Sequence, residues 1–194
     1  IRTDAEFRAA AIRSRKRLSY DQVDEFLADA EPFRKKWGAA VCDLLERMRT
    51  LARILRQRRM QRGALELSMP EVKIDLDKQG RVTGAHVQAN TESHQIIEEF
   101  MLAANEAVAE TLRDHGLPFL RRVHEAPVLE KLKALGEFVS ELGIKNDGLE
   151  SRFELQKLLD RVVGRPEQHA VNYAVLRAMQ RAVYDPREEG HYAL

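Results

Sequence analysis

The spacing of the apolar residues changes twice along the chain, and this change limits the folds that the chain can adopt. Steps of three and four residues separate the members of an apolar stripe made of Trp37, Val41, Leu44, Met48, Leu51 and Leu55. These steps place the stripe on one side of a helix of about six turns. Between residues 71 and 88 apolar and charged residues alternate instead, which is typical of strands. Helical spacing then returns, so the sequence predicts an α+β fold that is mostly helical, with a small antiparallel sheet.

Turn and capping residues set the expected ends of these elements. Ser19 is a suitable N-cap for a helix over residues 20–30, because its hydroxyl can accept a hydrogen bond from a first-turn N–H. Gly63 stands where a left-handed residue commonly ends a helix, and the DKQG segment supplies the turn of a β-hairpin over residues 71–88. Residues 64–67 are a candidate for one more strand. The other expected elements are a strand or irregular lead-in up to residue 17, helices over residues 91–115, 128–142, 153–163 and 168–183, and a strand over residues 119–123.

Two helices carry apolar stripes, and the first stripe is expected to pack inside the domain. The first is the stripe over residues 37–55, for which pairing with a partner helix is the alternative; six turns are short for a dedicated coiled coil. The second lies on the helix over residues 91–115 and consists of Ile97, Met101, Ala104 and Val108. The hairpin also needs cover, because an isolated hairpin is marginally stable in water.

The near-zero net charge hides two oppositely charged parts. The chain has 194 residues and a formal charge of +1, but residues 1–62 hold 16 basic and 9 acidic residues, whereas residues 63–194 hold 16 and 22. Such asymmetry indicates a nucleic-acid or membrane surface. The basic part offers Tyr20 for stacking on a base or ribose, and for phosphates it offers Arg13, Arg15, Lys16 and Arg17. The alternative is a solvated charged face with Tyr20 packed against its own helix.

Several classes of protein are disfavoured by composition. No run approaches the roughly 18 apolar residues of a membrane span, and the first ten residues lack the apolar core of a signal peptide. Cys42 is the one cysteine, which excludes an intramolecular disulfide and a cysteine-rich zinc module. We therefore expect a cytoplasmic protein with no membrane partner, in which Cys42 is a buried structural thiol.

Short motifs for metal or nucleophilic chemistry are missing from the sequence. His94 and Glu98 share a helix face, but no HExxH or CxxC accompanies them, so a surface pairing of the two is favoured over a metal site. Adjacent helical residues point about 100° apart, so Glu98 and Glu99 cannot bind one ion together. No GxGxxG, P-loop or GxSxG motif is present.

Five sequence stretches resemble the central ribonuclease domain of the ribonuclease II and ribonuclease R family, the RNB domain. In chain order they are AAIRSRKRLSYDQV, QRGALEL, IIEEFMLAANEAVA, LRRVHEAP and AMQRAVYDPREEGHYAL. Their order and spacing follow the family over all 194 residues. The resemblance implies one partial RNB catalytic domain over residues 1–194.

The resemblance implies a processive 3′-to-5′ exoribonuclease that hydrolyses single-stranded RNA to nucleoside 5′-monophosphates. In the family, aspartates hold two Mg²⁺ ions that activate a water and stabilise the leaving oxygen. That aspartate motif is expected upstream of Ile1, and the arginine motif that grips the scissile phosphate is expected downstream of Leu194. Both ends of the sequence look cut. We therefore expect no catalytic residue and no metal ligand in this chain, and we expect the isolated chain to be an inactive monomer. The parent protein is expected to carry OB-type modules that guide RNA.

Three residues are carried over from the family as RNA contacts. Tyr20 matches a tyrosine that lines the RNA channel, and Glu98 matches a carboxylate that contacts the ribose, where it can help to distinguish RNA from DNA. Leu67 occupies the position of a phenylalanine that clamps the terminal base, and leucine offers apolar contact without a π-face. For four further residues inside the matching stretches, structural hydrogen bonding is an equal explanation; these are Asn105, Arg122, His124 and His191.

Two alternatives to an exoribonuclease segment remain open at this point. The chain could be a non-catalytic RNA-binding remnant of the domain, which saturable and salt-sensitive binding of single-stranded RNA would support. It could instead be a helical protein-interaction module that pairs through the stripe over residues 37–55.

Overall fold

The described part of the protein is mostly helical and has two small antiparallel sheets, so the α+β prediction is confirmed. The computed structural model describes residues 4–67, 69–146 and 148–194. The helices are α1 (Tyr20–Ala28), α2 (Glu31–Trp37), α3 (Ala39–Gln61), α4 (Glu92–Asp114), α5 (Leu129–Glu141), α6 (Arg152–Val162) and α7 (Gln168–Ala178). The strands are β1 (Glu71–Leu76), β2 (Val82–Gln88), β3 (Arg121–Val123) and β4 (Val183–Asp185).

Backbone contacts group the chain into two compact units. The first unit comprises residues 1–57 and 90–118, and the second comprises residues 58–89 and 119–194. The first unit therefore holds α1, α2, most of α3 and α4, and the second holds both sheets and α5 to α7. The expectation of one partial domain over residues 1–194 stays a prediction.

An aromatic cluster forms the core of the first unit. Phe26, Trp37 and Cys42 are buried together, and the rings of Phe33 and Trp37 lie 4.5 Å apart. Cys42 has no exposed surface, as expected of a structural thiol. A break at Gly38, where φ is +84°, assigns Trp37 to α2 rather than to the long helix α3.

The two predicted apolar stripes are not the buried faces of their helices. Leu44 on α3 is 58% exposed and Met101 on α4 is 60% exposed. The more buried face of α3 lies one position further along, at residues 42, 45, 49, 52, 56 and 59. The buried face of α4 is offset in the opposite direction, at residues 93, 96, 99 and 107. Each buried face includes charged side chains, Arg49 among them, that a search for apolar residues passes over. The prediction that the stripe over residues 37–55 packs inside the domain is therefore wrong for its most exposed members, and Met101 leaves the stripe on α4 exposed as well.

The predicted β-hairpin is confirmed in the second unit. β1 pairs with β2 in antiparallel register, with Val72 opposite Val87. Asp77 closes the turn, because its carboxylate accepts hydrogen bonds from the backbone N–H groups of Gln79 and Arg81 at 2.9 Å each. These bonds lower the pKa of the Asp77 carboxyl, the bond from Arg81 most strongly.

The three C-terminal helices enclose the core of the second unit. Leu155, Val162 and Val175 are completely buried in it. The last helix is shorter than expected: α7 ends at Ala178, and Val183 instead begins β4, which pairs with β3. The candidate strand over residues 64–67 is absent, since these described residues form no strand, although the N–H of Leu65 donates to the carbonyl of Ala193.

None of the helices in the described ranges is both long enough and apolar enough to cross a bilayer.

Candidate functional site

Tyr20 is the first residue of α1 and is held there by a capping box. The hydroxyl of Ser19 accepts a hydrogen bond from the N–H of Gln22 at 3.4 Å, and the side chain of Gln22 accepts one from the N–H of Ser19 at 3.0 Å. Two of the orphan donors of the first turn are satisfied in this way. The N-cap prediction for Ser19 is confirmed, and Tyr20 follows it directly as the first residue of α1.

The ring of Tyr20 stacks on His94 of α4. The two ring centroids lie 3.8 Å apart and the ring planes differ by 18°. Tyr20 therefore packs against a different helix from its own, contrary to the alternative considered from the sequence. Its side chain stays 43% exposed, which leaves ring surface available for a second stacking partner.

The hydroxyl of Thr91 joins α1 to the first turn of α4. It lies 2.6 Å from Asp24 Oδ2, 2.8 Å from His94 Nδ1 and 3.0 Å from Ser93 Oγ. Asp24 also accepts a hydrogen bond from the N–H of Ser93 at 3.2 Å. Thr91 is the N-cap residue of α4, but its side chain does not cap the helix. The carboxylate of Asp24, on another helix, accepts from the orphan N–H instead.

Glu92, in the first turn of α4, attaches this helix to α3 through its carboxylate. Glu92 accepts two hydrogen bonds from Arg49, at 2.9 and 2.6 Å, and one from Arg53 at 2.8 Å. The bond from Arg49 is the main reason why the pKa of Glu92 is lowered and that of Arg49 is raised. Arg49 also donates to the carbonyl of Leu27 at 3.4 Å. The helices α1, α3 and α4 are thus tied together beside Tyr20.

Glu98 lies one turn beyond His94 on the same face of α4. Its side chain is exposed, whereas its neighbour Glu99 is only 3% exposed. The choice of Glu98 over Glu99 as the surface carboxylate is thus compatible with the burial of the pair. We call Tyr20, His94 and Glu98 the Tyr20 surface.

Leu67 belongs to the second unit. It is half-buried and packs against the core of α5 to α7. Tyr20 and Glu98 thus both belong to the first unit, where His94 stacks on Tyr20 and precedes Glu98 by one turn, and Leu67 belongs to the other unit. The next residue in the chain, Ser68, lies outside the described residues.

The basic residues before α1 are exposed on an irregular segment. Residues 4–19 contain no helix or strand, in agreement with one of the two expectations for this lead-in. Arg13, Arg15, Lys16 and Arg17 are all exposed, directly before Tyr20 in the chain. Positive charge and an aromatic ring are thus close in sequence, as in proteins that bind single strands.

His124 and His191 form a contact pair within the second unit. Their ring centroids lie 4.8 Å apart, and the N–H of Tyr192 donates to the carbonyl of His124 at 2.8 Å. Burial, His124 and Arg122 together lower the pKa of His191, with burial as the largest cause. His124 Nε2 lies 3.0 Å from the carbonyl oxygen of Gln180. These contacts agree with the structural explanation for the two histidines, although Nδ1 of each ring is buried without a hydrogen-bond partner among the described residues.

The other two residues from the matching stretches are less constrained. Arg122 lies over the ring of Tyr184, 5.8 Å from its centroid, and Asn105 is exposed on α4.

The described residues do not fit the Mg²⁺ site of the family. Within residues 4–67, 69–146 and 148–194, no three His, Cys, Asp or Glu side chains come together as metal ligands. The metal centre that the resemblance implies would need other residues to form it.

Sequence reasoning did not connect three residues that the structure joins by hydrogen bonds, namely Asp24, Thr91 and His94. Tyr20 and Asp24 are four residues apart on α1, and Thr91 and His94 are three apart at the start of α4, so each pair shares a helix face. The two pairs meet only because α1 packs against α4, and no local pattern reports that packing.

Comparison with known proteins gives a consistent result. The model of the RNB domain family matches residues 2–194. The chain is 36% identical to the ribonuclease R of Aquifex aeolicus over 187 residues, and 37% identical to that of Thermotoga maritima over 193 residues. Each alignment covers 95% of this chain and 26% of the relative, so the chain spans about a quarter of the length of these relatives. The structure of Mycoplasma genitalium RNase R in complex with ribose-methylated single-stranded RNA is similar with a TM-score of 0.82 and 25% identity, over 90% of this chain and 27% of that chain.

Proposed function

The chain belongs to the RNB domain family, and from this premise we propose that it is part of a processive 3′-to-5′ exoribonuclease. The protein hydrolyses single-stranded RNA to nucleoside 5′-monophosphates. The match to the family over residues 2–194 is the observation that carries this proposal, and the relatives named ribonuclease R support it. Because the chain spans 26% of those relatives, the activity is assigned to a longer protein that contains it.

In this proposal the first unit supplies part of the wall of an RNA channel. Tyr20 stacks on a base or a sugar with the ring surface that His94 leaves exposed. Glu98 is an exposed carboxylate on the same surface, and a carboxylate can accept a hydrogen bond from a ribose 2′-OH. The segment that leads into Tyr20 contacts phosphates through its basic side chains, Arg13, Arg15, Lys16 and Arg17.

In this proposal the second unit supplies a base contact that is weaker than aromatic stacking. Leu67 touches the terminal base through apolar surface alone, because it lacks the aromatic face that would stack on the base. The remainder of this unit is scaffold, built around the core of α5 to α7.

The chemical step belongs to residues outside this chain. We propose that aspartates elsewhere in the protein bind Mg²⁺, which supplies the activated water, and that the isolated chain is inactive. We further propose that the protein acts as a monomer in the cytoplasm on single-stranded RNA, without a membrane partner.

One observation favours a second function, that of a protein-interaction module. Leu44, Leu51 and Ile54 on α3 are 58%, 45% and 43% exposed. Clustered apolar side chains on a surface often mark a protein contact. Light scattering tests self-association through this face: a dimer that Leu51→Glu dissociates would support the module, and a strictly monomeric chain would remove self-pairing.

A titration of labelled single-stranded RNA against the 194-residue chain tests the proposed RNA contacts. We expect saturable binding that weakens as salt is added. Replacing Tyr20 with Ala should weaken binding about tenfold, because stacking on one aromatic ring contributes about 1–3 kcal/mol. Tyr173→Ala is the matched control, since Tyr173 is 48% exposed but lies in the second unit. Equal losses in the two variants would contradict the role of Tyr20.

The catalytic part of the proposal is tested on the longer protein. RNA labelled at its 3′ end should release labelled nucleoside 5′-monophosphate at once. RNA labelled at its 5′ end should pass from full length to a short end product without labelled intermediates, and chelation of divalent metal should stop both reactions. Release of mononucleotides from a 5′ label first would contradict the direction. The isolated chain should leave the same RNA intact, and cleavage by it would contradict the assignment of the chemistry to other residues.

A further inference from the structure

We propose that Asp24, Thr91 and His94 form a hydrogen-bonded relay that positions the ring of Tyr20 for its RNA contact. In this relay His94 is a positioning residue that acts through Tyr20. The inference rests on the proposed function of Tyr20, and it adds three residues that the resemblance to the family does not supply.

The hydroxyl of Thr91 stands at the centre of the relay. It has one hydrogen and two lone pairs, while an ionised carboxylate can only accept. Because Thr91 Oγ1 lies 2.6 Å from Asp24 Oδ2, the single hydrogen is donated to Asp24. The lone pairs of Thr91 then accept from its other two neighbours, His94 Nδ1 at 2.8 Å and Ser93 Oγ at 3.0 Å.

These hydrogen bonds fix the tautomer of His94. Nδ1 must carry a hydrogen in order to donate to Thr91, so the neutral imidazole has its lone pair on Nε2. The hydrogen bond holds one edge of the ring, and the stacked ring of Tyr20 at 3.8 Å covers one face. A ring constrained at an edge and a face has little freedom to rotate about χ1 or χ2.

The base of the relay is held by hydrogen bonds from two helices. Ser93 is 2% exposed, and its N–H donates to the other oxygen of Asp24 at 3.2 Å, so the carboxylate bridges α1 and α4. The neighbouring Glu92 is held by Arg49 and Arg53 of α3. Asp24, Thr91 and His94 are half-buried, so the relay connects a half-buried carboxylate to the more exposed ring of Tyr20.

The consequence for RNA is preorganisation. A tyrosine that is already held in its stacking orientation loses less conformational freedom when a base or sugar binds to it. Ordering one side chain on binding has a free-energy cost that lowers affinity about two- to tenfold. The relay should therefore tighten binding by that factor without touching the RNA.

The tautomer can be measured directly in the 194-residue chain. Long-range ¹H–¹⁵N NMR of the histidines at about pH 8, above the ordinary titration range of imidazole, distinguishes a protonated ring nitrogen from one with a lone pair. We expect His94 to carry its hydrogen on Nδ1. A predominance of hydrogen on Nε2 would overturn the inference, whether or not any variant folds.

A pair of variants tests the positioning. Thr91→Val keeps the shape of the side chain but removes the hydroxyl, and Thr91→Ser keeps the hydroxyl. The valine variant should increase the mobility of the Tyr20 ring in NMR relaxation and weaken RNA binding two- to tenfold, and the serine variant should restore both properties. In a Tyr20→Ala background, Thr91→Val should have no further effect on binding. Valine and serine variants that bind alike would overturn the inference.

These experiments separate the failure of the relay from the failure of the proposed function. If Tyr20→Ala leaves RNA binding unchanged, the proposed role of Tyr20 fails, while the tautomer and the ring mobility still report on the relay. If Tyr20→Ala weakens binding but Thr91→Val does not, the relay fails and the RNA contact stands.

Discussion

Arg49 and Glu92 face each other across two helices in a bidentate contact, with nitrogen–oxygen distances of 2.9 and 2.6 Å. Both side chains are 31% exposed, so the pair is neither fully solvated nor fully desolvated. Such a planar two-point contact is stronger than an ordinary surface ion pair. It joins α3 to the first turn of α4, two residues before His94.

The Arg49 contact predicts how stability depends on pH. The pKa of Glu92 is lowered from an ordinary value of 4.5, so near that pH the unfolded chain binds more protons than the folded one. The contribution of Glu92 is therefore complete above about pH 4.5 and is lost as the pH falls through the lowered pKa. We expect Glu92→Gln to reduce the free energy of unfolding by about 1 kcal/mol at neutral pH. The variant should also lose less stability than the parent chain as the pH falls below about 4.5. Denaturant unfolding at several pH values measures both effects. A similar loss in Glu130→Gln, a first-turn glutamate of α5, would point to a cause other than the arginine contact.

Replacing Glu98 with Gln should reduce the preference for RNA over DNA. A hydrogen bond from a 2′-OH to a charged acceptor is stronger than one to a neutral amide, so the ratio of the two affinities should fall about tenfold. Competition between matched RNA and 2′-deoxy oligonucleotides measures the ratio. Glu106→Gln, two turns further along α4, is the control and should leave the ratio unchanged. A fall of the same size in both variants would show that general charge is responsible.

An aromatic ring at residue 67 should strengthen the base contact. Leu67→Phe adds a π-face, which we expect to tighten binding of single-stranded RNA several-fold, since stacking contributes about 1–3 kcal/mol and the repacking of a half-buried site offsets part of it. Leu67→Met is the control, because it keeps a flexible apolar side chain without a ring. If methionine tightens binding as much as phenylalanine, stacking is not the cause.

Gly63 should tolerate alanine poorly. Its φ is +89°, and a Cβ atom would lie 2.9 Å from Cε1 of Phe153. Backbone strain and the close approach together should lower the free energy of unfolding by about 2–3 kcal/mol in Gly63→Ala. Gly116 also has a positive φ, of +65°, but has open space around the Cβ position, so Gly116→Ala should cost about 1 kcal/mol. Equal losses in denaturant unfolding would remove the packing part of this explanation.

The histidine pair of the second unit should loosen in acid. Burial lowers the pKa of His191 below its ordinary 6.5, so the stability that its neutral form contributes is full above pH 6.5 and declines as the pH falls through the lowered pKa. The N–H of Tyr192, which donates to the carbonyl of His124, should then exchange with solvent faster than expected from the intrinsic pH dependence. Hydrogen exchange on the chain and on His191→Gln measures this effect. An identical pH dependence in the two proteins would contradict it.

Local features were predictable from the sequence where one short segment determines the structure. Ser19 begins α1 and Gly63 ends α3 because each satisfies a backbone requirement of its own helix end. Asp77 forms its turn with residues two and four positions away. The fold class followed from such elements together with the change of apolar spacing.

The buried faces and the Tyr20 surface depend on packing between distant segments. Arg49 lies on the inner face of α3 because Glu92, 43 residues away, neutralises it. Thr91 and Asp24 are 67 residues apart in sequence. Apolar periodicity cannot report such pairs, because a charged residue with a partner on another helix counts as polar in the pattern.

The cap of α4 determines the order in which the proposed RNA-contacting surface forms. Because Asp24 of α1 accepts the hydrogen bond from the N–H of Ser93, the start of α4 is completed only when α1 has docked. Tyr20 gains its ring partner His94 in the same event. The stacked pair of Tyr20 and His94 is therefore absent from either helix alone. In a chain that is being synthesised, it can form only after residue 94 has been made and α1 and α4 have met.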